Sequence, residues 1–494
     1  MPPSIALFAW FVLLSALLCL DPAKTRGTSA ALWIPVTWLF FAGSRLPSQW
    51  LGAITGQGAW VANLQDGNPF DRSVDLVLIT LAIVILVSRS FDWGEFFTRN
   101  SALTLFIVFA LLSVVWSDFP MVAFKRWFRD LGNYIMVFVV LSDRQPVDAV
   151  KTVFRRLAYL LVPLSITLDK YFPAISKTYD QWTGVAMYAG VATGKNLLGL
   201  IALLSGVFFF WDIVARWSER KERNTRRIIL LNIAFLAMSI WLLRTANSTT
   251  CKVCLLIGCL VVLAVHSKWG KRHPGLLKAA IPGSFLLYVL LSLGFGMSGQ
   301  FAAAVGKDPT LTDRTLIWKA LFSMHTNPLV GTGYDSFWIG PRLQWFWTVL
   351  GERGINEAHN GFLEVYLNLG IIGLLLILGV LIGGYRNISK RLDPFSSFAS
   401  LGLAIWAVML FFCVTEAGFR DSYMWVAFLL VAVSVRARGE VPSAVPLRTT
   451  VSPAAHGGYR VPMAGKVLGA KRASVPHVLP RFTGPRSSFS KNKI

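Results

Sequence analysis

Thirteen apolar blocks, each near the roughly 20 helical residues that cross a hydrocarbon core about 30 Å thick, punctuate this chain. They fall near residues 5–20, 29–42, 74–88, 101–117, 130–142, 154–168, 195–215, 228–244, 251–266, 279–297, 361–384, 397–415 and 422–435. Hydrocarbon offers backbone polar groups no partner, so blocks of this length predict helices, and the chain is expected to be an all-α, polytopic transmembrane bundle of twelve to thirteen spans. The first block lacks the positive flank and small-residue cleavage site of a signal peptide and is expected to be a retained span. Charged residues make up only 15% of the chain, against the usual quarter, which excludes a soluble enzyme, a disordered chain and a nucleic-acid partner. Five cysteines, mostly inside apolar blocks, make no disulfide framework.

The net charge of +23 is explained by where it sits. Residues 216–227 contribute +4, residues 268–278 another +4, Arg386, Lys390 and Arg391 +3, and the tail after residue 435 +10, which is nearly all of the surplus. Basic residues gather in loops that stay in the cytoplasm. Alternation of spans then places the loops 43–73, 118–129, 169–194, 245–250, 298–360 and 416–421 outside. The longest, 298–360, is too long for a connector and too aromatic for a disordered linker, so it should fold against the membrane surface. Residues 1–437 are therefore expected to form the transmembrane domain, with 298–360 as its large periplasmic loop. Residues 438–494 should form a basic, mostly disordered cytoplasmic tail.

Basic residues outside oppose that orientation, which makes them informative. They include Lys125, Arg126 and Arg129 before the fifth span, Lys170, Lys177, Arg244, then Arg314, Lys319, Arg342 and Arg353 in the long loop, and Arg420 in the last outer turn. Several cations at one membrane face can hold a diphosphate, since guanidinium matches phosphate oxygens in bidentate fashion. Interfacial anchoring is the competing role and is the one expected of Lys170, Lys177 and Arg342. For Arg314 binding is expected, because a helix carrying Leu311, Thr315 and Trp318 on one face could aim that arginine inward. His359 begins the span 361–384 at the water boundary. There an imidazole can take a proton from a hydroxyl, or simply flank a helix N-cap.

The string Leu311-Thr-Asp-Arg314-Thr-Leu-Ile-Trp318, then Asn327-Pro-Leu-Val-Gly331-Thr-Gly333-Tyr-Asp-Ser-Phe-Trp338, then His359-Asn-Gly-Phe-Leu363 with Gly370-Ile-Ile-Gly373, resembles the O-antigen ligase and polymerase superfamily. The match is closest to its exopolysaccharide-polymerase branch, which Leu112-Ser-Val-Val-Trp116-Ser-Asp-Phe-Pro120, Thr183-Gly184 and Gly194-Lys-Asn196-Leu-Leu-Gly199 also resemble. The resemblance implies a membrane-embedded, metal-independent glycosyltransferase of the bacterial inner membrane, without cofactor. It would move a glycan from an undecaprenyl-diphosphate donor to a sugar hydroxyl of a growing glycan or lipid A core on the periplasmic side. Membrane lipids, and polysaccharide export proteins, would be its other partners.

By the same resemblance Arg314 is a diphosphate ligand and His359 the catalytic histidine. The family's second basic residue falls at Thr249 here, within Asn247-Ser-Thr-Thr250, which passes that role to Arg244 or Lys252. Arg126, Arg129, Lys125 and Lys195 are further candidates for the anionic donor. Asn360, Trp318, Trp338, Glu416 and Arg420 are candidates for the sugars, the tryptophans by stacking and Glu416 with Arg420 by closing the cavity. Two other functions stay open, a transporter or flippase of a lipid-linked saccharide and a non-catalytic subunit of a polysaccharide assembly. Clean span centres and the absence of a repeat argue against the transporter.

Reporter fusions test the frame on which these assignments stand. A fusion within 298–360 should report an outside location and one after residue 435 an inside location, and the reverse pattern would overturn the outer-loop reading.

Overall fold

The computed structural model describes residues 2–19, 27–52, 67–89, 92–179, 184, 186–294, 314–351, 354–392 and 395–434. The helices are α1 (Pro3–Cys19), α2 (Trp33–Ala42), α3 (Pro69–Ser88), α4 (Trp93–Arg99), α5 (Ser101–Leu112) and α6 (Pro120–Leu141). They continue as α7 (Pro146–Tyr171), α8 (Lys195–Arg216), α9 (Arg223–Ala246), α10 (Thr249–His266) and α11 (Pro274–Gly294). The last are α12 (Arg314–Ser323), α13 (Gly340–Leu350), α14 (Gly361–Lys390), α15 (Ser397–Thr415) and α16 (Ser422–Ala432). A two-stranded antiparallel ribbon, β1 (Lys177–Tyr179) with β2 (Ala186–Tyr188), pairs Thr178 with Met187. The basic tail, residues 298–313 and Arg353 lie outside the described residues.

Every apolar block of the sequence contributes described residues to a helix. Among the described residues six helices, α8, α9, α10, α11, α14 and α15, are long and apolar enough to cross a membrane, or seven if the bent pair of α3 and α4 counts as one span. Four apolar helices have only 10–17 residues, and at 1.5 Å per residue they reach about 15 to 26 Å, short of a full crossing. Helices α6 and α7 are long enough, but α6 carries Lys125, Arg126, Arg129 and Asp130 in its first half, and α7 carries Arg155 and Arg156.

Among the six long apolar helices α8 and α15 are the most enclosed, each 83% buried over its apolar stretch, whereas α11 is 11% buried and turns Leu276, Leu286, Leu287 and Leu290 outward. Small residues permit this close packing. A Cβ on Gly199 of α8 would stand 2.9 Å from the Ser248 Cβ, and one on Gly258 of α10 would stand 2.8 Å from Val207.

Polar contacts collect at two ends of the bundle. At one end Asp212 receives Arg155, Arg216 and Asn232, and Arg89 pairs with Asp143. At the other, Arg45 reaches the carbonyls of Ile175, Gly190 and Val191, Arg126 reaches Asp335, and Arg314 reaches Glu416. The loops that the charge pattern assigned to one face therefore meet at one end.

The described part of the long loop is folded, as its aromatic content implied. Ile317 and Leu321 of α12, Leu343 and Phe346 of α13, Phe337, Trp338 and Ala358 form a small core of their own, joined to α14 through Leu367. Its attachment to α14 is backbone to backbone. Helix α14 breaks at Gly370, whose φ of 63° and ψ of −163° are not helical. The break frees the carbonyls of Leu367 and Asn368, which accept from the amides of Thr332 and Gly333 at 3.2 and 2.9 Å. The amides of Ile371 and Ile372 donate in turn to Pro328 and Leu329. The Pro-x-x-Gly-x-Gly string thus fills the break of α14.

Only glycine fits at the crossing. Gly331 has φ of 65°, and a Cβ there would lie 2.4 Å from the Asn368 carbonyl carbon. Gly331→Val should therefore destabilise the folded chain by at least the ~1–3 kcal/mol of backbone strain alone. A thermal-unfolding scan of the detergent-solubilised protein should show a lower midpoint, and an unchanged one would remove this anchor from the account.

Candidate active site

Helix α15 ends at Thr415, and the extended Glu416 turns its carboxylate into the interior, where it is 5% exposed. An ionised carboxylate so placed needs cations and donors around it. Arg314 at the start of α12 donates from Nη2 to Glu416 Oε1 at 2.9 Å. Asn196, in the first turn of α8, donates from Nδ2 to Oε2 at 3.1 Å, and His359 Nδ1 lies 3.6 Å from that oxygen. Three strings distant in sequence, Gly194-Lys-Asn196, Arg314-x-x-x-Trp318 and His359-Asn, converge on one carboxylate. Beside it Thr250 and Thr415 share a hydrogen bond of 2.9 Å, so the Asn247-Ser-Thr-Thr250 string also reaches this place.

The segment leading to His359 has no regular structure, and side chains satisfy its backbone. Trp347 Nε1 donates to the Ile355 carbonyl, Arg420 Nη1 to that of Asn356 and Trp318 Nε1 to that of Ala358, at 2.7, 2.6 and 2.9 Å. The Ala358 amide donates to Glu364, which also receives the Trp338 indole N–H. Asn360 then caps α14 by accepting from the Leu363 amide at 3.0 Å and donates to Val414 at 3.1 Å. Held from both sides, His359 adopts φ of 47° in the left-handed region, a strained conformation typical of functional positions.

His359 Nδ1 stands 2.8 Å from Glu357 Oε1 as a charge contact, without the alignment of a hydrogen bond. Burial opposes protonation of the imidazole, but Glu357 and Glu416 outweigh it and raise its pKa to about 10. Burial likewise opposes ionisation of Glu357, and the imidazolium holds that carboxyl below its usual range. His359 is therefore a cation at neutral pH in this state. The two carboxylates that flank it favour the protonated imidazole over the proton acceptor that the sequence suggested. Glu357, His359 and Glu416 also place three potential metal-ligand atoms within 4.8 Å of one another. Arg314 and Arg420 add positive charge beside them.

A second network lies alongside. Asp335, also left-handed with φ of 46°, receives Arg126 at 3.3 Å and Arg420 at 3.1 Å. Burial opposes its ionisation, yet Arg420, Arg126 and Arg129 hold its carboxyl below the usual range. Arg129 pairs with Asp130 at 3.1 Å, and Tyr334 donates its hydroxyl to Asp130 at 3.0 Å. Arg126, Arg129 and Arg314, expected to stand ready for a diphosphate, thus each have a carboxylate partner, and Arg420, expected to pair with Glu416, pairs with Asp335 instead.

Other expected residues fall elsewhere. Arg244 is exposed at the end of α9 without an ion pair or hydrogen bond to the Glu416 hub, and Lys252 donates to Asn247. Lys125 is exposed on α6, while Lys195 opens α8 next to Asn196. Trp338 is 1% exposed inside the loop core, so stacking on a sugar is excluded for it in this state. Trp318 is half-buried with its N–H committed to the histidine segment. Leu311 lies outside the described residues, and α12 begins only at Arg314.

Glu357, Glu364, Asn196 and Asp335 escaped the sequence reading as site residues. An acid two positions before a histidine was the one available signal for Glu357. The others are single polar residues in apolar or loop context, and spacing does not reveal which carboxylate they will meet.

A family model described as O-Antigen ligase matches residues 233–378, which include Arg314, the 327–333 insertion, His359 and the break of α14 but stop before Glu416. The chain is also similar to the Exopolysaccharide production protein ExoQ of Rhizobium meliloti (strain 1021), with 24% identity over 296 residues. That alignment covers 58% of this chain and 65% of the relative's length. Both matches support the resemblance to the O-antigen ligase and polymerase superfamily, on its exopolysaccharide side.

Proposed function

We propose that this protein is a membrane-embedded glycosyltransferase that moves a glycan from an undecaprenyl-diphosphate donor to a sugar hydroxyl, in polymerisation of an exopolysaccharide or O-antigen. One observation carries the reading most directly: Arg314 and the protonated His359 meet at one buried carboxylate, Glu416, in the outer-end cluster. A lipid diphosphate is already a good leaving group, so catalysis needs mainly positive charge against the bridging oxygen and a hydroxyl held in line. Arg314 spends one N–H on Glu416 and has further donors for phosphate oxygens. The His359 imidazolium adds a second cation. Glu357, whose contact with His359 occupies one oxygen, is the base that takes the hydroxyl proton as the new glycosidic bond forms and the anomeric bond to diphosphate breaks. Attack opposite the leaving group inverts the anomeric centre.

The site opens on the periplasmic side of the inner membrane in this reading, with residues 438–494 as a cytoplasmic tail. A flippase would use the break in α14 as an ion or substrate site. Its freed backbone groups are already bonded to residues 328–333, which favours surface chemistry over passage.

Complementation of a deletion strain tests the assignment. His359→Ala and Arg314→Gln, at normal expression, should each lower product by about 100-fold or more, and full product from both variants would overturn the site. Glu357→Gln should do likewise if it is the base. In a purified transfer assay the required imidazolium is present below about pH 10 and lost above it, so activity should fall on the alkaline side near that value. Because the Glu357 carboxyl is held low, no loss should appear near pH 6.5, and a fall in activity there would return the proton-acceptor role to His359.

A further inference from the structure

Between α6, α14, α16 and the turn 416–421 lies an open recess whose empty space, solvent at its mouth included, is about 620 Å³. Two of its lining side chains hold the histidine segment from behind. Glu364, which lines it, accepts from the Ala358 amide, and Arg420, which also lines it, donates to the Asn356 carbonyl. A ligand here therefore sits next to the Glu416 hub without occupying it.

The chemistry of the recess differs from that of the hub. Its carboxyl groups, Asp130, Asp335 and Glu364, are matched in number by the guanidinium groups of Arg420, which lines it, and of Arg126 and Arg129, which pair with Asp335 and Asp130. Such a balance offers an anion no net attraction and offers a cation none either. It suits a neutral ligand rich in hydroxyls. Two polar groups keep hydrogen-bonding capacity beyond these pairs. Asp335 Oδ1 is buried and, though 3.1 Å from Arg420 Nε, has no aligned hydrogen bond. The Tyr134 hydroxyl accepts from Trp425 Nε1 at 3.2 Å, which leaves its own proton to donate. A carboxylate oxygen without an aligned hydrogen bond and a hydroxyl with its proton to donate match, in one recess, a sugar hydroxyl, which both donates and accepts. Trp425 and Phe419, whose ring centroids are 5.9 Å apart, add apolar faces for the C–H side of a ring.

We infer that this recess is the subsite for a neutral sugar unit of the saccharide acceptor, seated beside the diphosphate-binding hub. The inference rests on the glycosyltransferase reading for the word acceptor, but the binding itself is measurable without transfer.

The test uses the full chain in lipid nanodiscs. Lipid-free, repeat-length oligosaccharides prepared from the host's own secreted polysaccharide are titrated in an equilibrium binding measurement, and undecaprenyl diphosphate is titrated separately. The wild type should bind the oligosaccharide. Tyr134→Phe should weaken that binding by about tenfold, the worth of roughly one hydrogen bond. Val365→Trp, which fills the recess, should abolish it. Undecaprenyl diphosphate should bind both variants as it binds the wild type, and thermal melting checks that both are folded.

No oligosaccharide binding by the wild type, wild-type binding in Tyr134→Phe, or a parallel loss of undecaprenyl diphosphate binding would each overturn the subsite. His359→Ala should keep oligosaccharide binding while losing transfer. If the wild type binds the oligosaccharide yet never transfers to it, the proposed function falls and the subsite stands.

Discussion

A carboxylate removed from water inside a membrane protein costs several kcal/mol unless cations stand beside it. At an effective dielectric near 20, a unit charge about 4 Å away returns roughly 4 kcal/mol, so a single partner barely balances the burial. Glu416 has Arg314 and His359 together with the Asn196 amide, and the arrangement of the site follows from that requirement. The same requirement acts in reverse on the histidine. Placed between Glu357 and Glu416, the imidazole holds its proton, so the residue that sequence suggests as a base is converted by its surroundings into a cation.

The backbone shows how such a centre can be kept in place by a loop. Helix α14 is interrupted at Gly370, and the loop 328–333 supplies the hydrogen bonds that the interruption frees. Trp318, Trp347, Arg420 and Glu364 then bind the carbonyls and amide of the histidine segment. These side chains do for an irregular stretch what a helix ladder does for itself, and they explain how His359 can stay in a left-handed conformation. Several aromatics that composition assigns to sugars or bilayer serve this purpose instead.

Much of this was legible in the sequence. The apolar blocks announced the helices, and the placement of Lys and Arg sorted the loops into two groups that the contacts keep apart. Arg314, His359 and Glu416 were each singled out from their local context. The pairing state was not legible, because a guanidinium free for phosphate and one bound to a carboxylate have the same neighbours in sequence. Arg126 looks like an interfacial cation until Asp335, far along the chain, is found beside it. Trp338 looks like a sugar platform until the loop core closes over it.

The sequence by itself determined the solvent of this protein, its helical architecture and the side of the bundle on which its polar chemistry gathers, since those follow from block length, backbone hydrogen bonding in hydrocarbon and the distribution of basic residues. Only the tertiary structure decided which charges neutralise which, because ion pairs between α6 and the 327–339 loop, or between α12 and the turn after α15, depend on separations set by packing. Protonation of His359 belongs to that second class: it is a property of two carboxylates and a buried imidazole at a few ångströms, and no reading of one residue type can supply it.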